Sequence, residues 1–119
     1  IPDDIDYVSV YDSFTITVLI TLEDLGFCER GEGGQFVASG ALRAPHGKLP
    51  FNTDGGGLCN NHPANRGGMT KVIEAVRQLR NEANSEVQVP DCELAVAHGT
   101  GGSLATRSAS STMVLGRSL

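Results

Sequence analysis

Residues 52 to 68 read Asn-Thr-Asp-Gly-Gly-Gly-Leu-Cys-Asn-Asn-His-Pro-Ala-Asn-Arg-Gly-Gly. Three successive glycines, Gly55, Gly56 and Gly57, permit positive φ and let a ligand or another stretch of chain come close, at an entropic cost that ordinary loops avoid. His62 follows, fixed before Pro63, and Gly67-Gly68 then lead into an apolar periodicity. The order is loop, histidine, helix start. The positive end of a helix dipole disfavours an imidazolium, so a histidine held there is suited to act as a base. A histidine before a proline is also an ordinary turn residue, and these residues alone leave both readings open.

After this stretch, Met69, Val72, Ile73, Val76 and Leu79 recur at helical spacing, with Lys71, Glu74, Arg77 and Arg80 on the other side. This predicts an amphipathic helix with the apolar set inward. Before it, Ile5 to Tyr11 is β-prone and predicts a strand. Phe14 to Leu25 fits period two, yet Asp12 and Ser13 are good N-caps, Phe14, Val18, Leu22 and Leu25 share a helical face, and Gly26 is a stop. A helix is expected there. Residues 29–34 read as a charged, glycine-rich loop, 35–37 as a short extended piece, and 41–50 as an irregular crossing with His46 solvated. Leu94 to Ala97 predicts a buried strand ending at His98, Gly99 to Gly102 a glycine turn, and Ser111 to Leu115 a last strand. Alternating strands and helices indicate an α/β domain.

At 119 residues the chain makes one domain at most, with 39% apolar and 19% charged residues in the ordinary folded range. A formal charge of -5 leaves no basic field for a phosphate backbone, so nucleic acid is not an expected partner. Cys28, Cys59 and Cys92 are odd in number and widely spaced, which reads as reduced thiols in a cytoplasmic protein and no metal site. No apolar run is long enough for a membrane span, and no signal-peptide pattern is present. The chain opens on Ile1, and its natural beginning is expected upstream.

Gly99-Thr-Gly-Gly-Ser-Leu fails the dinucleotide fingerprint at Leu104, where a third glycine is required. Neither a phosphate-binding P-loop nor a Gly-x-Ser-x-Gly nucleophile elbow occurs. What remains is Tyr11, His62 and His98, each at a strand end or before a helix, where an α/β sheet gathers ligand-binding side chains.

These residues carry a resemblance to the C-terminal part of the thiolase superfamily. Gly-Gly-Gly-Leu-Cys-Asn-Asn-His-Pro resembles the family's Gly-His-Pro loop, Tyr-Asp-Ser-Phe stands where the family has Asn-Glu-Ala-Phe or His-Asp-Cys-Phe, and His-Gly-Thr-Gly-Gly stands at its Cys-x-Gly-Gly-Gly. Within the family, Tyr-Asp-Ser-Phe-Thr-Ile-Thr and Leu-Glu-Asp-Leu-Gly-Phe-Cys are similar to sterol-carrier-protein-x type thiolases and lipid-transfer-type steroid aldolases. The resemblance implies a thiolase-like fold of layered sheets and helices, of which residues 1–119 would be an incomplete C-terminal βαβαββ half. It implies coenzyme A thioesters as substrates, no covalently bound cofactor, a dimer, and for aldolase relatives a partner subunit with an OB-fold and zinc ribbon.

By the same resemblance, His62 matches the histidine that activates the nucleophile and lines an oxyanion site, and Tyr11 stands where Asn or His polarises the thioester. His98 stands at the family's acid/base cysteine, and the backbone N–H of Thr100 at a second oxyanion donor. Gly56 and Gly57 would lie beside the substrate. The family's nucleophilic cysteine belongs to the other half, and none of the three cysteines here matches it. The expected function is acyl transfer of the acetyl-CoA acetyltransferase type, with retro-aldol cleavage of steroid side-chain CoA thioesters and a non-catalytic CoA-thioester or lipid-binding module as alternatives. The isolated chain is expected to be inactive.

Overall fold

The computed structural model describes residues 1–63, 66–104 and 107–118. The β-prone Tyr-Val-Ser-Val run forms β1 (Tyr7–Val10), followed by α1 (Thr15–Asp24), α2 (Gly33–Ala38), the single turn α3 (Gly56–Cys59), α4 (Gly67–Leu79), β2 (Leu94–Leu104) and β3 (Arg107–Gly116). The strands lie in the order β1-β2-β3, with β1 parallel to β2 and β2 antiparallel to β3. The α/β class and the helix-and-sheet layering stand as expected.

All four residues of β1 are buried, because both faces of the sheet are covered there. Side chains alternate between faces along a strand. Tyr7, Ala95 and Ala97 therefore meet Ala75 and Leu79 of α4, whereas Val8, Val10 and Val96 meet Leu22 of α1, with Val18 and Leu25 packed beside it. This packing decides α1 in favour of helix, since helical spacing alone brings Val18, Leu22 and Leu25 onto one apolar patch. Gly26 ends the helix as expected, at φ 82°. The outer edge of β1 is met by residues 50–52, with a parallel bridge from Phe51 to Val8. There the Asn52 side chain accepts the Val10 N–H at 2.8 Å and donates to the Val10 carbonyl at 2.9 Å.

Four local expectations are corrected. Residues 35–37 are helical, within α2: Phe36 and Val37 both pack on the Val8–Leu22 cluster, and the Gly33 N–H at the start of α2 donates to the Glu23 carboxylate at 3.0 Å. Asp12 and Ser13 do not cap α1. Phe14 holds the cap position, exposed rather than on the buried face, and the Asp12 carboxylate is engaged elsewhere. Gly99 to Gly102 is not a turn but part of β2, where Gly99 lies beside the start of α4 at Gly68.

The orientation of α4 is the largest correction. Leu79 faces inward as expected, with Ala75 beside it, but so do Lys71, Glu74 and Gln78, while Met69 and Ile73 are 59% and 48% exposed. Burial of the polar residues is possible because each is hydrogen-bonded. Lys71 Nζ lies 2.9 Å from Asp54 Oδ2, Thr53 Oγ1 donates to Glu74 Oε1 at 2.6 Å, and Gln78 Oε1 accepts the Val89 N–H at 2.8 Å. Among the described residues no helix is long and apolar enough to cross a membrane.

Candidate active site

Tyr11 leaves the end of β1 with its backbone N–H donating to the His98 carbonyl at 2.9 Å. Strand alternation sends its side chain to the α4 face. Its ring occupies the space that a side chain at Gly67 would take, where an added Cβ would lie 2.7 Å from Tyr11 Oη. The first residue of α4 is thus glycine because an aromatic ring lies across it. Tyr11 Oη and His62 Nδ1 are 2.7 Å apart, and the two rings stack with centroids separated by 5.4 Å. Tyr11 is buried and His62 exposed, so the pair has one end in the fold and the other open. A phenol and an imidazole sharing a proton form a unit that can donate to a developing oxyanion or take a proton from a hydroxyl.

The loop bearing His62 is held by two carboxylates. Asp12 accepts the backbone N–H of Gly57 at 2.5 Å and of Leu58 at 3.3 Å. Gly56, at φ 68°, makes this approach possible, since any Cβ there would overlap the Asp12 carboxylate. Asp54 accepts the Gly56 N–H at 3.0 Å and the Asn61 side-chain amide at 2.7 Å, and it pairs with the buried Lys71. Thr70 Oγ1 donates to Asn61 Oδ1 at 3.0 Å, tying the residue before His62 to the first turn of α4.

The structure brings Tyr11 and His62 together and sends His98 elsewhere. Ala97 faces α4, so the His98 imidazole lies on the α1 face, with Nδ1 2.8 Å from Thr112 Oγ1. It is 8% exposed, and burial pushes its pKa below the ordinary histidine value. With Thr100 and Thr112 it lines a cleft of about 520 Å³ bounded across α1 by Thr17, Thr21 and Asp24. Thr100 is paired with Ser110 in the β2–β3 ladder. His46 is exposed, as expected. Cys28, Cys59 and Cys92 are all free, and burial raises the Cys92 thiol to about 11. Among the described residues no three His, Cys, Asp or Glu side chains cluster as metal ligands would.

Sequence reasoning missed Asp12, Asn52, Asp54, Lys71 and Thr112. Asp12 carried a readable signal, an acidic residue beside a candidate tyrosine with an unexplained glycine run to receive it. The Asp54–Lys71 pair had none, because a lysine at helical spacing reads as solvated.

The description thiolase C-terminal domain-like matches residues 1–117. An acetyl-CoA acetyltransferase of Methanothermobacter thermautotrophicus is 42% identical over 85% of this chain and 26% of its own length. A 17-hydroxy-3-oxo-4-pregnene-20-carboxyl-CoA lyase of Mycobacterium tuberculosis is 43% identical over 84% of this chain and 25% of its own. The solved Ltp2-ChsH2(DUF35) aldolase superposes with a TM-score of 0.77 at 39% identity, covering 98% of this chain and 28% of that one. The chain spans about a quarter of the length of these relatives.

Proposed function

The chain belongs to the thiolase family through a domain of its C-terminal type, and from this we propose that it forms the C-terminal part of an enzyme making or breaking a carbon–carbon bond beside a CoA thioester. The observation that carries the reading is the 2.7 Å contact between Tyr11 Oη and His62 Nδ1. It favours retro-aldol cleavage of a β-hydroxyacyl-CoA. The tyrosine–histidine pair takes the β-hydroxyl proton, the oxygen electrons form the new carbonyl, the carbon–carbon bond breaks, and its electrons pass to the thioester as an enolate, which is then protonated. Preorganised donors stabilise such an enolate by a few kcal/mol each, about 3 for one good hydrogen bond.

Acyl transfer is the second reading, favoured by the 42% identity to an acetyl-CoA acetyltransferase. It requires a nucleophilic cysteine from the remainder of the enzyme, activated by His62. In either reaction Gly56, Gly57 and the Thr100 N–H are proposed to border the thioester, while the His98 imidazole stays in the cleft that it lines with Thr112 on the α1 face. A partner subunit is proposed from the likeness to the Ltp2-ChsH2(DUF35) aldolase, and a homodimer and a cytoplasmic location from the family resemblance.

The test is to assay the complete enzyme, with and without a candidate OB-fold partner, on a β-hydroxyacyl-CoA for release of a ketone or aldehyde and on a β-ketoacyl-CoA with free CoA for thiolysis. Cleavage of the hydroxy substrate that is lost in Tyr11→Phe supports the aldolase reading. Thiolysis that survives Tyr11→Phe would replace it by acyl transfer, and turnover of neither substrate would leave the binding-module reading.

A further inference from the structure

The Tyr11–His62 hydrogen bond joins two segments far apart in sequence, the end of β1 and the loop before α4. Both sides meet at Asp12. It is the residue after Tyr11, and its carboxylate receives two successive backbone N–H groups of the loop, Gly57 to Oδ1 and Leu58 to Oδ2. The side chain is almost fully enclosed, the residue being 6% exposed, and Gly56 lacks the Cβ that would expel it. Gly57 itself lies against His62, where a Cβ would be 3.7 Å from the imidazole Nδ1. The loop N–H groups that bind the carboxylate thus belong to the turn against which the imidazole rests.

We propose that Asp12 is a positioning residue of the site, locking the glycine loop to the end of β1 so that His62 Nδ1 stays within hydrogen-bonding reach of Tyr11 Oη. An acidic residue suits this task because a carboxylate offers two acceptor oxygens to two adjacent N–H donors, and charge-assisted bonds of this kind are roughly twice as strong as neutral ones. Asparagine has the same shape but presents one acceptor and one N–H₂ group to two donors. The role bears on catalysis only if the proposed carbon–carbon chemistry is right, but the geometry stands apart from it.

Imidazole ¹⁵N spectra of the complete enzyme, with the His62 and His98 resonances assigned through His62→Gln and His98→Gln, are recorded for the wild type, Asp12→Asn and Tyr11→Phe. The expected result is that the His62 Nδ1 resonance moves in Asp12→Asn toward its position in Tyr11→Phe, while His98, on the opposite face of the sheet, stays in place. A His62 resonance that moves in Tyr11→Phe but not in Asp12→Asn overturns the proposal. So does a variant in which His98 shifts together with His62, because Asp12 would then merely support the fold. In the complete enzyme, Asp12→Asn is expected to lower kcat by at least about tenfold with KM within about threefold, and to add nothing to the loss in Tyr11→Phe. Additive losses would overturn the role. A spectrum as expected with turnover unchanged would instead count against the proposed chemistry.

Discussion

The backbone N–H of Tyr11 donates to the carbonyl of His98 at 2.9 Å, yet the two side chains leave on opposite faces of the sheet. Parallel pairing of Val10 with His98 puts Tyr11 one residue out of step with the histidine, and one residue is the difference between facing α4 and facing α1. The candidate site is therefore two pairs rather than one triad: Tyr11 with His62 on one face, His98 with Thr112 on the other.

Replacing Tyr11 by Phe keeps the ring over Gly67 and removes only the hydroxyl that meets His62. Turnover by the complete enzyme should fall by roughly 10² to 10⁴, the usual cost of a lost general acid or base. His62→Ala should cost a similar factor, and the double variant little more than either alone, because the two act as a unit. Steady-state kinetics of the three variants checks this, with multiplied losses as the contrary outcome.

Gly67→Ala places a methyl group where the Tyr11 ring lies, and the backbone of α4 and β1 fixes both sides. Overpacking of this kind costs about 1–3 kcal/mol. A urea titration should show a lowered midpoint, and fluorescence or ¹⁵N spectra should report a displaced Tyr11–His62 pair. Unchanged stability with an intact pair would contradict the observed contact.

Lys71 has a fully buried side chain and Asp54 a nearly buried one. Lys71→Ala leaves a carboxylate without its cation, and breaking such a pair from one side costs about 3–5 kcal/mol. The double variant Lys71→Met/Asp54→Asn should recover part of that loss. Denaturant midpoints of the single and double variants decide the matter: a single variant as stable as the wild type would show the pair to be dispensable.

His98 is held neutral by burial, its folded pKa lying below the unfolded value near 6.5. Between those two values the unfolded state binds more protons, so stability rises with pH. The contribution is complete above the unfolded pKa and is lost as pH falls below about 6.5 toward the folded value. Unfolding midpoints across this window should slope for the wild type and flatten for His98→Gln. Equal slopes for the two proteins would show that the imidazole is not the titrating group.

Cys59 is exposed, whereas Cys92 is buried with its thiol raised to about 11. Because the thiolate is the reactive form, limiting iodoacetamide at neutral pH should label Cys59 and spare Cys92 until denaturant is added. Peptide mapping reads this directly, and early modification of Cys92 would be incompatible with its position beneath α4.

The elements legible in the residues were those whose pattern and packing agree. β1 was readable from its β-branched run, and α1 from Val18, Leu22 and Leu25 against Gly26, although period two competed. Residues 35–37 were misread because three residues are too few to show a period, and helix there depends on contacts with Val8 and Leu22. The face of α4 was misassigned because hydropathy assumes that lysine and glutamate seek water, and it has no knowledge of Asp54 and Thr53 waiting beneath. His62 and Tyr11 could be nominated from the loop and strand end. His98 could not be placed, since its facing depends on a register between strands more than eighty residues apart.

The amide of Asn52 also sets how this molecule can meet others of its kind. By returning both hydrogen bonds to Val10 it stands in for one rung of a neighbouring strand, and at φ 43° the chain then turns away. That margin is sealed, while β3 along Arg107–Gly116 is the last strand of the sheet. Among the described residues, an added strand would therefore find its open template along β3 and not along β1.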